Sequence, residues 1–188
     1  SRSFSRHPVL RDETLKLFSD VKFNETGGRL VGSELVEFLR GFEVAITALE
    51  TIDGELLSQL PDLKVIGKFG VGLDMIDLDA LGHHNVKLGW QAGVNCRSVA
   101  ELVISSAISL LRRTNFAANE LYQGRWMPVI GRQLTGCTFG IVGCGHIGKD
   151  LITLLKPYHC DVLINDLREL KEFCTEHRAK QVSLEELL

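Results

Sequence analysis

Three glycines, Gly143, Gly145 and Gly148, with Cys144, His146 and Ile147 between them, have the spacing of a turn that can hold a pyrophosphate. Each has its own task. Gly143 permits a tight turn, Gly145 lets backbone amides approach the phosphates, and Gly148 lets the following helix pack closely on the preceding strand. A helix starting there adds unpaired amides and partial positive charge. Asp166 lies 18 residues beyond Gly148, at the end of a second apolar run, where a carboxylate can accept both ribose hydroxyls of an adenosine. The same carboxylate repels a 2′-phosphate, so the pattern selects NAD over NADP, and Arg168 is the one nearby residue of opposite tendency. A glycine-rich turn alone is a common structural device. Strand, turn, helix, second strand and acid in this order carry the dinucleotide reading.

Other residue types that could do chemistry are less organised. Cys96, Cys137, Cys144, Cys160 and Cys174 are odd in number and include no Cys-x-x-Cys pair, which suits reduced thiols packed as small hydrophobes. Joined with His146, His159 or His177 they show no metal-ligand spacing, so no metal site is expected. His83 and His84 sit near a predicted helix end, where they complement the dipole. His146 opens a helix and is given no acid–base role. Gly70 and Gly72 form a second glycine turn, open to two readings: an ordinary strand-to-helix connection or an anion-binding loop.

The elements that must position these groups follow from periodicity. The pattern predicts a helix over residues 10–18, an extended piece over 21–23, and a helix capped by Ser33 and stopped at Gly41. The apolar run Val44-Ala45-Ile46-Thr47-Ala48 reads as a buried parallel strand. A helix over 53–60, a strand over 63–69, a helix capped by Asp77 and a strand over 86–88 come next. This alternation implies a parallel sheet with helices on its faces. Residues 91–95 read as a crossover between domains. Ser98 to Glu101 has the form of a capping box, opening a helix that is apolar on nearly every face and is expected to be largely buried. Residues 115–135 read as irregular. The strand over 137–142, a helix over 147–155 and the strand over 161–165 then frame the glycine turn.

Composition bounds the function classes. In 188 residues there are 21 basic and 24 acidic side chains, a net charge of −3, and 45% hydrophobic residues. Charges of both signs are scattered, which gives no footprint for nucleic acid or an anionic membrane surface. No apolar stretch is long enough to span a bilayer, and residues 1–7 lack a signal-peptide core. A cytoplasmic, globular, two-domain α/β chain is expected.

Three ordered motifs add a resemblance. The stretch Val65-Ile66-Gly67-Lys68-Phe69-Gly70-Val71-Gly72-Leu73-Asp74-Met75-Ile76-Asp77 resembles the substrate loop of D-isomer-specific 2-hydroxyacid dehydrogenases. Gly93-Val94-Asn95-Cys96-Arg97-Ser98-Val99-Ala100-Glu101 is similar to that family's entry into its interdomain helix. Gly124-Arg125-Trp126 and the run Leu134 to Gly143 match its approach to the nucleotide turn. Within the family the chain looks most like the enzymes that act on 3-phosphoglycerate. The resemblance implies a flavodoxin-like substrate domain at 1–92, with its first strand missing, and a partial Rossmann NAD-binding domain, a doubly wound parallel sheet, at 93–188. It implies that Lys68, Val71 and Gly72 receive the substrate carboxylate, Lys68 standing where relatives often carry arginine. It implies that Val71, Gly143, Gly145, His146, Ile147, Gly148 and Asp166 contact NAD.

The family's arginine, glutamate and histidine belong to later segments, so no catalytic residue is assigned in this chain. It reads as a fragment trimmed at both ends, its nucleotide domain stopping after two strands with Leu188 inside the second crossover helix. Such a piece is expected to bind the adenosine half of NAD without turnover. The whole protein is expected to interconvert a 2-hydroxy acid and a 2-oxo acid, as a homodimer built through the 98–113 helix. The alternative is an NAD(H)-sensing corepressor on the same fold. An S-adenosylmethionine or flavin enzyme leaves the loop from Gly70 to Asp77 unexplained.

Overall fold

The computed structural model describes residues 1–188, which divide into two compact units, Ser1–Ala92 and Gly93–Leu188. The first unit runs α1 (Arg2–Arg6), α2 (Pro8–Leu17), α3 (Gly32–Leu39), β1 (Val44–Thr47), α4 (Gly54–Ser58), β2 (Val65–Lys68), α5 (Leu78–His83) and β3 (Lys87–Gly89). Its sheet has the order β1-β2-β3, all parallel, with Val44 opposite Val65 and Val65 opposite Lys87. Two helices start where carboxylates can cap them. Asp53 Oδ1 accepts from the Leu56 amide at 2.9 Å, and Asp77 Oδ1 accepts from the Ala80 amide at 2.9 Å. Gly41, at φ +81°, closes α3. Leu35, Val36 and Leu39 of α3 join Ile52, Leu56, Leu57, Leu63 and Ile66 in one core.

The second unit runs α6 (Cys96–Arg112), α7 (Thr114–Tyr122), β4 (Thr138–Val142), α8 (His146–Leu155), a 3-10 turn (Lys156–Tyr158), β5 (Asp161–Asn165), α9 (Lys171–His177), β6 (Ala179–Gln181) and α10 (Leu184–Leu187). Its sheet has the order β4-β5-β6, again parallel, with Thr138 opposite Asp161 and Val162 opposite Ala179. Ile141, Leu151, Ile152, Leu155, Val162 and Ile164 form its core, and Val103, Ile104, Ile108 and Leu111 of α6 pack against it. All five cysteines are free thiols, and Cys137, Cys144 and Cys174 are buried.

Several expectations need correction. Residues 21–23, expected to be extended, join no sheet, and the neighbouring turn is held by the Asn24 side chain, which donates to Gly28 O at 3.0 Å and accepts from the Thr26 amide at 3.1 Å. Helix α3 begins at Gly32 without a side-chain cap, because its buried face, not Ser33, sets its placement. Helix α6 begins at Cys96 rather than behind a Ser98 cap, and the Ser98 hydroxyl donates back to Asn95 O at 3.0 Å. That helix is not largely buried: only Ala100 is fully covered, while Leu102 and Leu110 are 65% and 78% exposed. Residues 115–122, within the stretch expected to be irregular, belong to α7. The second sheet does not stop after two strands. Arg178 turns left-handed (φ +54°) and leads into β6, and the last residues belong to a further helix, α10.

Candidate nucleotide and substrate sites

In the second unit, the glycine turn joins the end of β4 to the start of α8. Gly143 takes φ +86°, which an L side chain rarely adopts, and nothing lies within 4 Å of a Cβ added at Gly143 or at Gly145. The turn therefore presents open backbone. Gly148 is the opposite case: a Cβ there would stand 2.7 Å from Gly143 O and 3.4 Å from Ile141 Cγ2. Helix α8 approaches β4 closely only because position 148 has no side chain. Gly145 is the N-cap of α8 and makes no side-chain cap bond, so the first amides of the helix are free for an anion. His146 and Ile147 are exposed at this end, and Cys144 is fully buried beneath it. Burial pushes the Cys144 thiol up, which makes it a packing group rather than a nucleophile.

Asp166 reaches this turn from the end of β5. Its Oδ2 accepts from the Cys144 amide at 2.8 Å and from Arg168 Nη2 at 3.3 Å. Its Oδ1 accepts from the Arg168 amide at 2.9 Å and from Arg168 Nε at 3.1 Å. The Arg168 side chain, then the Arg168 and Cys144 amides, hold the carboxyl well below the usual carboxylate range. The side chain of Asp166 is 9% exposed and that of Arg168 64% exposed. A carboxylate offers about four lone-pair sites, and in this arrangement all four are taken, two of them by the exposed guanidinium. An arginine that swings away releases both. Sequence reasoning saw Arg168 as a neighbour but could not see this pairing, which depends on side-chain rotamers.

In the first unit, β2 delivers Lys68 and then the loop carrying Gly70 (φ +130°), Val71 and Gly72. Lys68 Nζ donates to Ala48 O at the end of β1, placing a half-buried ammonium beside the start of the loop. Trp90, just after β3, donates from Nε1 to Val71 O at 3.0 Å. The far end of the loop is tied down by Ile52 N to Met75 O and Asp77 N to Ile52 O, both 2.8 Å. Two residues here escaped the sequence reading. Trp90 fixes the loop, and a lone tryptophan directly after a strand was the available signal. Buried Glu50 accepts from the Ala48 amide at 2.7 Å, and no pattern announced it.

The fold and the glycine–acid arrangement define a class, the Rossmann-type α/β proteins, here with a second parallel α/β unit preceding. The family model described as D-isomer specific 2-hydroxyacid dehydrogenase, catalytic domain, matches residues 4–183. The chain belongs to that family. D-3-phosphoglycerate dehydrogenase 1 of Saccharomyces cerevisiae is 35% identical over 159 residues, covering 82% of this chain and 33% of that protein. The pyruvate reductase of Chlamydomonas reinhardtii superposes with a TM-score of 0.81 at 25% identity, over 98% of this chain and 56% of that one. The NAD-dependent formate dehydrogenase of Staphylococcus aureus, solved in complex with NAD, gives 0.70 at 28% identity over 83% and 48%. The chain spans 28–57% of the length of the curated relatives it matches. No helix is long and apolar enough to cross a membrane.

Proposed function

We propose that residues 93–188 hold the adenosine and pyrophosphate of NAD and residues 1–92 the carboxylate of a small 2-hydroxy acid, within an enzyme that oxidises D-2-hydroxy acids to 2-oxo acids. One observation carries the cofactor half. The Cys144 amide binds Asp166 at 2.8 Å, bringing the acid at the end of β5 to the phosphate turn, as ribose and pyrophosphate of one molecule require. The residues fit NAD: open backbone at Gly143 and Gly145 faces the phosphates, and free amides at the start of α8 supply positive potential. When bound, NAD accepts the hydride that leaves C2 of the hydroxy acid. Asp166 orients the ribose once Arg168 moves, and His146 and Ile147 flank the pyrophosphate.

For the substrate, we assign the carboxylate to the backbone of Val71 and Gly72 with Lys68 supplying charge. A lysine gives a point charge rather than a bidentate fork. Residues 1–188 are assigned to binding rather than to proton transfer. Their one histidine near a carboxylate, His177, lies 3.9 Å from Glu176 with its ring stacked on Phe173 at 4.1 Å, packed as a structural group. Likeness to D-3-phosphoglycerate dehydrogenases supports 3-phosphoglycerate as the substrate.

We further propose that α6 forms a two-fold subunit interface. Leu102 and Leu110 are exposed on it, and Arg132 N donates to Leu111 O at 3.1 Å, which sets exposed Ile130 beside its C-terminal end. The test of function is NADH formation by the full-length protein with D- and L-enantiomers of 2-hydroxy acids, 3-phosphoglycerate included. Turnover of D-enantiomers with NAD is expected. NAD binding without turnover of any of them would favour a sensing role instead.

A further inference from the structure

Gly93, the first residue of the second unit, lies against the imidazole of His146. A Cβ added at Gly93 would stand 2.8 Å from His146 Cγ, 2.9 Å from Nδ1 and 3.1 Å from Cβ. These are the root of the side chain and not its far end, so no small rotation relieves the contact. The backbone on each side is pinned. Gly93, at φ +74°, accepts at its carbonyl from the Cys96 amide at 3.0 Å, in the turn that starts α6. His146 is the first residue of α8. A second tie runs parallel: Arg97 Nη2 donates to Asp150 Oδ1 at 2.8 Å, joining the first turn of α6 to the second turn of α8.

We propose that Gly93 is a positioning residue for cofactor binding: it is the surface on which the His146 ring rests, and so keeps the ring off the free amides at the start of α8. This rests on the dinucleotide reading of the glycine turn. With a side chain at position 93, the ring must turn about its Cα–Cβ bond into another rotamer. A rotamer that carries the ring over the open backbone at Gly145, where nothing lies within 4 Å of an added Cβ, puts it in the space assigned to the pyrophosphate. The glycine is thus needed for ligand access as well as for its left-handed backbone.

The experiment uses residues 1–188 as wild type, Gly93→Ala, His146→Ala and the double variant. NAD affinity is measured by calorimetry, stability by thermal melting, and ring placement by NMR without cofactor. In the wild type, the Gly93 Hα resonances are expected upfield of their ordinary position through the ring current, and to return in His146→Ala. Gly93→Ala is expected to weaken NAD binding roughly tenfold beside His146 but less than about twofold in the His146→Ala background, a non-additivity marking direct contact. The left-handed strain lowers the melting temperature in both backgrounds, so stability and affinity separate. Equal loss of affinity in both backgrounds, or Gly93 Hα resonances unmoved by His146→Ala, would overturn the proposal. Absence of NAD binding to the wild type would instead overturn the dinucleotide reading, and with it the role given to Gly93.

Discussion

Replacing Gly148 with alanine puts a methyl group 2.7 Å from the carbonyl oxygen of Gly143 and 3.4 Å from Ile141 Cγ2. Two effects compete. Alanine in a helix interior is favoured over glycine by about 1 kcal/mol, whereas forcing a methyl into a filled site costs about 1–3 kcal/mol. The obstructing atom is backbone, fixed by the turn itself, so it cannot rotate away and the cost falls toward the upper end. The net expectation is a destabilisation of about 1–2 kcal/mol, read as a lower midpoint in urea with an unchanged slope. Relief requires the turn from Gly143 to Gly145 to move, so NAD affinity falls as well, by roughly tenfold for each 1.4 kcal/mol lost in binding. Gly145→Ala is the control. Nothing lies within 4 Å of its added Cβ, so its midpoint stays within the scatter of surface substitutions while its methyl still obstructs the phosphates. A Gly148→Ala variant as stable as wild type and binding NAD equally well would refute the packing argument at this turn.

Other consequences follow from the same geometry. Arg168→Ala frees two acceptor positions on Asp166 and removes the one cation near the 2′-position, so the preference for NAD over NADP, as a ratio of dissociation constants, should rise; a fall would mean that Arg168 itself orients NAD. Because the Asp166 carboxyl is held below its ordinary value of 3.8, its contribution to stability is complete above that pH and is lost as pH falls toward the folded value. Denaturation curves of wild type and Asp166→Asn should therefore stay separated at neutral pH and converge only below about pH 3.8. Leu110→Glu places a charge on the exposed stripe of α6 and should convert a dimer of the full-length protein to monomer in light scattering, with melting of the monomer little changed.

Much of the frame was legible because local chemistry and tertiary packing agree. Residues Asp161 to Asn165 read directly as the strand they form, and Asp53, Asp77 and Gly41 end or begin helices as their side chains and backbone freedom dictate. Where the two disagree, sequence was silent. Helix α7 starts after Arg113, a left-handed residue with no capping side chain. Strand β6 is short and polar and exists because β5 offers it an edge. The apolar residues of α6 told nothing of whether their cover lies within the chain, and two of them, Leu102 and Leu110, remain exposed. At the candidate site, the glycines and Asp166 were visible as types and spacing, whereas the guanidinium on Asp166, the tryptophan on Val71 and the imidazole on Gly93 depend on rotamers and long-range approach.

Whether one dinucleotide lies across the turn from Gly143 to Gly148 and the end of β5 is decided by amide NMR during titration of residues 1–188 with NAD. Saturable shifts are expected at the amides of Cys144, Gly145, His146, Ile147 and Arg168, with the Arg168 side-chain signals moving as the guanidinium leaves Asp166. Shifts absent at saturating NAD, or confined to residues away from α8 and the end of β5, would contradict that placement.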